Sequence, residues 1–251
     1  MKYYTDLVND KRRVSIFKKA IQKNAKGTTY DLGTGSGILA SIASAYSKKV
    51  YAIENNHAVI KNFTKKNLSK YPNITLIEDD ATSIIFPELA DVIICEMLDT
   101  ALIDEEQAPV INNALKYKKK DCIFIPHSTY DTLKLISTNI PYITYYENGK
   151  PEFTELSDEI IYNKVLFSES IETNFSKEVK VEVKSKGILN ALMITTYTNV
   201  TEKLVTGPTP MLNPPLFIPL DEVDVSVGDI ITIDLKYTMG GGLDTIKANI
   251  K

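Results

Sequence analysis

The stretch Tyr30–Ala40, YDLGTGSGILA, decides how the first half of the chain is read. Gly33, Gly35 and Gly37 follow the apolar run TTYDL and open the helix-length segment GILASIASAYS. Glycines at a strand-to-helix turn adopt positive φ without a Cβ penalty, so the backbone can approach a ligand closely. A dinucleotide-binding turn needs G-x-G-x-x-G, and counted from Gly33 its last position holds Ile38. The spacing here is G-x-G-x-G, led by Asp31. The next apolar run, KVYAIE, ends at Glu54, seventeen residues beyond Gly37. A carboxylate at the tip of a second strand can accept hydrogen bonds from both ribose hydroxyls of a nucleoside. After the third run, ITLIE, come Asp79, Asp80 and Ala81, where a side chain and a backbone N–H can grip an adenine ring. A tight turn without a ligand is the competing reading of the glycines.

Outward from this loop, short apolar runs alternate with helix-length segments as far as Ile125–Pro126. KVYAIE is followed by HAVIKNFTKKNLSKY, DVIIC by a helical pattern from about Glu105 to Tyr117, and CIFI closes the series. Such alternation predicts a parallel sheet covered by helices. Beyond Pro126 the period becomes two. Val179, Val181 and Val183 alternate with Lys180, Glu182 and Lys184, and Ile231, Ile233 and Leu235 alternate with Thr232, Asp234 and Lys236. One apolar and one polar face per strand predicts an antiparallel sheet or barrel. The expected organisation is α/β followed by all-β: residues 1–125 as a Rossmann-like, mostly parallel, doubly wound sheet with an N-terminal helix, and residues 126–251 as a β-barrel or sandwich.

Composition narrows the function classes. The 251 residues are 43% hydrophobic and 24% charged, ordinary for a globular protein. No apolar run is long enough for a transmembrane helix, and MKYYTDLVNDKRR lacks the apolar core of a signal peptide. Two cysteines, Cys95 and Cys122, cannot build a disulfide framework and fit a reducing cytoplasm. A net charge of −3 provides no general pull toward nucleic acid or anionic membrane. The basic run YKKKD, Tyr117–Asp121, reads as the end of a helix, where cations complement the dipole. No Cys/His/carboxylate cluster has metal-ligand spacing. His57 opens a helical pattern after Glu54-Asn55-Asn56 and His127 follows Pro126 at the junction of the two halves; neither is read as catalytic, and Tyr30 reads as packing.

One further stretch is conspicuous. ICEMLDTALIDEEQ, Ile94–Gln107, sets five carboxylates against the apolar run ADVIIC. Glu96 and Glu105 stand nine residues apart. A solvated acidic loop and a pair of glutamates holding a cation are both consistent with the stretch alone.

The glycine loop with Glu54 resembles the class I S-adenosylmethionine-dependent methyltransferases over roughly residues 28 to 125. Within that superfamily the chain is similar to the protein arginine methyltransferases, which carry two glutamates nine residues apart at the tip of the fourth strand. LVNDKRRVSIF is similar to their first helix, IPHSTYDTLKLI to their passage into a barrel, and LNALMITTYTNV and VDVSVGDIITIDLKY to later barrel strands. The resemblance implies S-adenosylmethionine as cofactor, with Asp31, Gly33, Gly35 and Gly37 shaping the methionine and ribose pocket. It also implies Glu54 on the ribose, Asp80 and Ala81 at the adenine, and Arg13 on the methionine carboxylate. Glu96 and Glu105 would orient the nucleophilic nitrogen. Because a guanidinium is always protonated, its lone pairs are delocalised; two carboxylates can localise the charge away from the attacking nitrogen. Methyl transfer from a sulfonium needs no metal.

The chain also departs from the pattern. The family's Glu-Trp-Met-Gly is here Glu96-Met97-Leu98-Asp99, and its Thr-His-Trp motif corresponds to about Met211-Leu212-Asn213. Its tyrosine-rich N-terminal motif is reduced to Tyr3-Tyr4, and the helical arm used to form homodimers is missing between Asn139 and Asp158. A protein substrate is the leading expectation. An RNA or small-molecule acceptor, or a non-catalytic S-adenosylmethionine-binding subunit, stays open at this level. The acidic balance and the lack of an Asn/Asp-Pro-Pro-aromatic motif weigh against RNA.

Overall fold

The computed structural model describes residues 2–147 and 149–251, with side chains from Thr5 onward. The side chains of Tyr3 and Tyr4 lie outside the described residues. Five parallel strands form the first sheet: β1 (Thr28–Leu32), β2 (Lys49–Glu54), β3 (Ile74–Glu78), β4 (Ala90–Cys95) and β5 (Lys118–Ile125), in the order β3-β2-β1-β4-β5. β1 is central and buried along its whole length, as a strand covered on both faces must be. Strand order reverses between β1 and β4, and open α/β sheets bind ligands beyond the carboxyl ends at such a point. The register brings the relevant tips together, because Leu32 pairs with Ile53 on one side and Cys95 on the other. Gly33, Glu54 and Glu96 thus leave adjacent strands at one edge.

Tyr30 belongs to the core. Fully buried, it stacks on Tyr51 at 4.8 Å and on Phe86 at 4.1 Å. The helix spanning residues 57–68 starts at the cap Asn56 and contains a π-helical turn, Ile60–Thr64. Such turns often occur at functional sites. Here the turn points Thr64 Oγ1 at the Gly35 carbonyl, 2.6 Å away, while Asn67 donates to the Ser36 carbonyl at 2.8 Å. The helix therefore braces the glycine loop from behind.

The YKKKD reading needs correction. The 3₁₀ turn ends at Tyr117, and Lys118, Lys119 and Lys120 open β5 instead of closing a helix. Pairing of Ala90 with Lys118 draws them into the sheet, and Lys119 forms an ion pair with Asp91 at 2.7 Å. Sheet pairing overrides the dipole argument.

The parallel sheet ends at Ile125, and the next strand opens at Ser128. From there the chain is antiparallel. Gly187–Thr201 lies between Ser128–Thr138 and Leu216–Val225, and Ser128–Thr138 also pairs with Ile160–Leu166. A second sheet joins Asn174–Glu182, Ile230–Thr238 and Lys247–Ile250. The expected alternation is visible in its register: Val179 faces Ile233 and Val181 faces Ile231, with Val179, Val181 and Ile233 buried. Residues 139–158 hold the short strands Thr144–Tyr145 and Phe153–Glu155, and no helix among the described residues. No described helix is long and apolar enough to cross a membrane. One continuous buried cluster runs through both sheet systems, from Phe17 and Tyr30 to Leu235 and Tyr237.

Candidate functional site

Asp31, the last-but-one residue of β1, is buried and accepts hydrogen bonds from Thr34 Oγ1 at 2.6 Å and the Ala40 amide at 2.9 Å. It ties the glycine loop to the helix that follows. Gly33, Gly35 and Gly37 all have positive φ, at 68°, 53° and 82°. At Gly33 a Cβ would fall 2.6 Å from Met97 Sδ, so the loop closes directly against the acidic segment. Glu54 reaches under the loop from β2: one carboxylate oxygen accepts the Gly35 amide at 2.8 Å, the other the Asn56 amide at 2.9 Å.

Across the crevice, Glu96 leaves β4 and forms an ion pair with Arg13. Arg13 sits in the helix Lys11–Asn24, whose cap Asp10 accepts its amide at 3.0 Å. Its Nη2 donates to the Leu7 carbonyl at 2.9 Å, while its buried Nε has no partner among the described residues. Asp10 also accepts from the Thr209 hydroxyl and from the Met211 amide, binding this helix to the barrel.

The segment between the two glutamates is sharply bent. Ala101 and Leu102 both occupy the left-handed region, with φ of 57° and 58°, which costs non-glycine residues roughly 1–2 kcal/mol each. The surroundings hold it there. Asp99 accepts the amides of Ile103, Asp104 and Glu105. Gln107 accepts the Met97 amide at 2.9 Å and donates to the Cys95 carbonyl at 2.8 Å. From the barrel, Gly240 and Gly242 donate to the carbonyls of Leu102 and Ile103, and Thr196 Oγ1 accepts the Ala101 amide at 2.7 Å. Glu105 emerges half-buried, and among the described residues nothing donates to its carboxylate.

One cavity of about 270 Å³ gathers these groups. Arg13, Asp31, Gly33, Gly35, Glu54, Asp80, Ala81, Glu96 and Glu105 all line it, together with Glu106 and Met211. Gly37 does not. It opens the helix Ile38–Ala43, where a Cβ would meet Leu68 at 2.7 Å. Of the Met211-Leu212-Asn213 stretch, only Met211 reaches the wall; Leu212 and Asn213 are buried. His57 is exposed and pairs with Glu78, and neither it nor His127 lines the cavity. Sequence reasoning missed Asp10, Asp99, Gln107 and Thr196. Only Asp10 carried a local signal, an aspartate directly preceding a helix.

Comparison with known proteins agrees with this geometry. Residues 30–121 match the methyltransferase domain family. Over 249 residues the chain is 40% identical to an uncharacterized protein of Methanothermobacter thermautotrophicus, covering 99% of this chain and 97% of that one. It is 30% identical over 169 residues to protein arginine N-methyltransferase PRMT10 of Arabidopsis thaliana, covering 62% of this chain and 43% of the plant protein. The chain belongs to the class I methyltransferases. Among solved structures, the Trypanosoma brucei PRMT1 enzyme–prozyme heterotetrameric complex with AdoHcy shares the fold of this methyltransferase. The TM-score is 0.75 at 17% identity, over 91% of this chain and 85% of that one.

The cofactor of the class is S-adenosylmethionine, and the residues present fit it. Among the described residues, seven carboxylate residues and one guanidinium wall the methyltransferase's cavity, a balance suited to a sulfonium cation. Arg13 keeps an unpartnered buried Nε, and the Gly33 backbone leaves no room for a side chain.

Burial raises the carboxyl groups of Asp31, Glu96 and Asp99 to about 7; at Glu96 it outweighs the opposing pull of Arg13. Glu105 is raised too, by burial and then by Asp104 and Glu106. In the unfolded chain such groups ionise near 3.8 for Asp and 4.5 for Glu. The folded methyltransferase therefore holds more protons between these values, and its stability falls as pH rises toward 7. Glu88 and Asp234, lowered by hydrogen bonds from Tyr51 and Lys236, stay ionised throughout that window. The ligand-free protein is expected to melt at a higher temperature near pH 5 than near pH 8. Calorimetric scans across that range check this, and a melting temperature that rises with pH would contradict it.

Proposed function

We propose that this methyltransferase transfers the methyl group of S-adenosylmethionine to a nucleophilic nitrogen of a protein side chain, with arginine as the acceptor. The observation that carries the reading is that Glu96 and Glu105 wall the same cavity as the glycine loop, with Arg13 the only cation in that wall among the described residues. Residues 1–125 supply the cofactor pocket and residues 126–251 the barrel side of the acceptor site. Arg13 holds the methionine carboxylate, Glu54 the ribose hydroxyls, and Asp80 with Ala81 the adenine. Asp31, Gly33, Gly35 and Gly37 shape the loop.

Bound cofactor supplies an electrophilic methyl on a positively charged sulfur. Glu96 and Glu105 would grip a cationic guanidinium, localise its charge and aim one nitrogen along the displacement axis. As the N–C bond forms the C–S bond breaks, and S-adenosylhomocysteine leaves. The proton released from the methylated nitrogen passes to a carboxylate of the pair and on to solvent. Positioning and preorganised charge supply the acceleration. Burial disfavours the ionised form of both glutamates, and Glu105 adds a smaller repulsion at Glu96; the acceptor's positive charge offsets both. The relatives named as arginine methyltransferases support the choice of acceptor.

Incubation with radiolabelled S-adenosylmethionine and host-cell lysate tests the acceptor class. Label is expected in a protease-sensitive, RNase-resistant fraction and, after acid hydrolysis, in methylated arginine. RNase-sensitive label, or label confined to small molecules, would replace the protein acceptor with one of those classes. Cofactor binding without label anywhere would point to a subunit that holds S-adenosylmethionine without turning it over.

A further inference from the structure

Three neighbouring barrel strands place polar side chains in one row. The register pairs Thr196 with Asp131 and Asp131 with Asn163, so the three lie side by side across the sheet. Directly opposed residues are the closest side-chain neighbours a sheet offers. Thr196 and Asp131 are completely shielded from solvent. Thr196 Oγ1 donates to one Asp131 oxygen at 2.6 Å, and Asn163 Nδ2 donates to the other at 3.0 Å.

A carboxylate with no cation beside it is a costly group to bury, and satisfied buried polar networks rigidify what they touch. This row ends on one atom of the catalytic segment. With its proton committed to Asp131, the Thr196 hydroxyl has only lone pairs to offer, and the Ala101 amide donates to it at 2.7 Å. Ala101 is the first of the two left-handed residues between Glu96 and Glu105. The carboxylate therefore orients the hydroxyl, and the oriented hydroxyl holds the strained peptide. An isolated threonine would be free to rotate its proton toward that amide.

We propose that Asp131 and Thr196 are positioning residues: through the Ala101 amide, the barrel sets the bend that aims Glu105 into the cavity. The claim that this bend matters to catalysis rests on the function proposed above; the claim that the row holds the bend does not.

The test uses Thr196→Val, Thr196→Ser and Asp131→Asn in the full chain. Thr196→Val keeps the shape and removes the acceptor, Thr196→Ser keeps the hydroxyl, and Asp131→Asn keeps an oxygen that can receive its proton. Hydrogen–deuterium exchange over residues 97–106 of the ligand-free protein reports the bend without any substrate. Faster exchange is expected in Thr196→Val, with protection restored in Thr196→Ser and largely kept in Asp131→Asn. Methyl transfer to the labelled lysate fraction should fall about ten- to a hundredfold in Thr196→Val. Calorimetric affinity for S-adenosylhomocysteine should change by less than about threefold, since the row touches no cofactor-side residue. Equal exchange in Thr196→Val and wild type would overturn the proposal, as would failure of Thr196→Ser to differ from Thr196→Val. Altered exchange with no label transferred by any variant, wild type included, would leave the row intact and count against the acceptor reading instead.

Discussion

Glu96→Gln is expected to lower methyl transfer by about a hundred- to a thousandfold, the loss typical when one preorganised charged contact to the reacting group is removed. The amide preserves shape and still accepts a hydrogen bond from Arg13, but it cannot localise charge on a bound guanidinium. The same change leaves the buried Arg13 guanidinium without its carboxylate partner, and removing one partner of a buried ion pair is destabilising. Activity should therefore collapse together with a fall in the melting temperature near pH 8. Glu105→Gln should lose activity with little thermal effect, because burial and neighbouring carboxylates, and no cation among the described residues, act on Glu105. Rates of label transfer and calorimetric scans on the same preparations separate the two quantities. Wild-type turnover in both variants would remove the two-glutamate grip from the mechanism.

Glu54→Ala should weaken S-adenosylhomocysteine binding by about two to three orders of magnitude. A carboxylate offers about four acceptor positions, and Glu54 uses one on each oxygen for the Gly35 and Asn56 amides. One position per oxygen is left for the two ribose hydroxyls. Charge-assisted hydrogen bonds contribute about 1.5–3 kcal/mol each, and about 1.4 kcal/mol is tenfold in affinity. Losing the ribose contacts accounts for the fall, and the released Gly35 amide adds to it by loosening the loop. Glu54→Gln should fall between the two, because its NH₂ cannot accept and must turn away from one amide. Isothermal titration measures both. An affinity within about threefold of wild type in Glu54→Ala would show that the ribose is held elsewhere.

The alternation of strand and helix was legible because each element advertises its own period over a few residues. The glycines of the first loop were legible for the same reason: their conformational demand is local, and all three have positive φ. Gly37 shows where local reading stops. Its left-handed backbone was readable, but its place behind the wall, against Leu68, depends on how a later helix packs. The lysines of YKKKD show the opposite failure. The local rule for helix ends was sound, yet pairing with β4 drew them into β5. The acidic stretch lay between these cases. Its spacing raised the idea of a paired grip, while its convergence on the cavity needed β4 to end beside β1.

What the sequence by itself determined, then, is the chemistry present at each strand tip and the order of the elements that carry it. Both follow from interactions among near neighbours in the chain. Only the tertiary structure decided which groups meet. The Arg13–Glu96 ion pair spans 83 residues, the Asp131–Thr196 hydrogen bond 65, and the Ala101–Thr196 contact 95. Such contacts are set by sheet order and register, where a shift of one residue between the two strands would place Asp131 and Thr196 on opposite faces of the sheet. No local pattern along the chain encodes that choice.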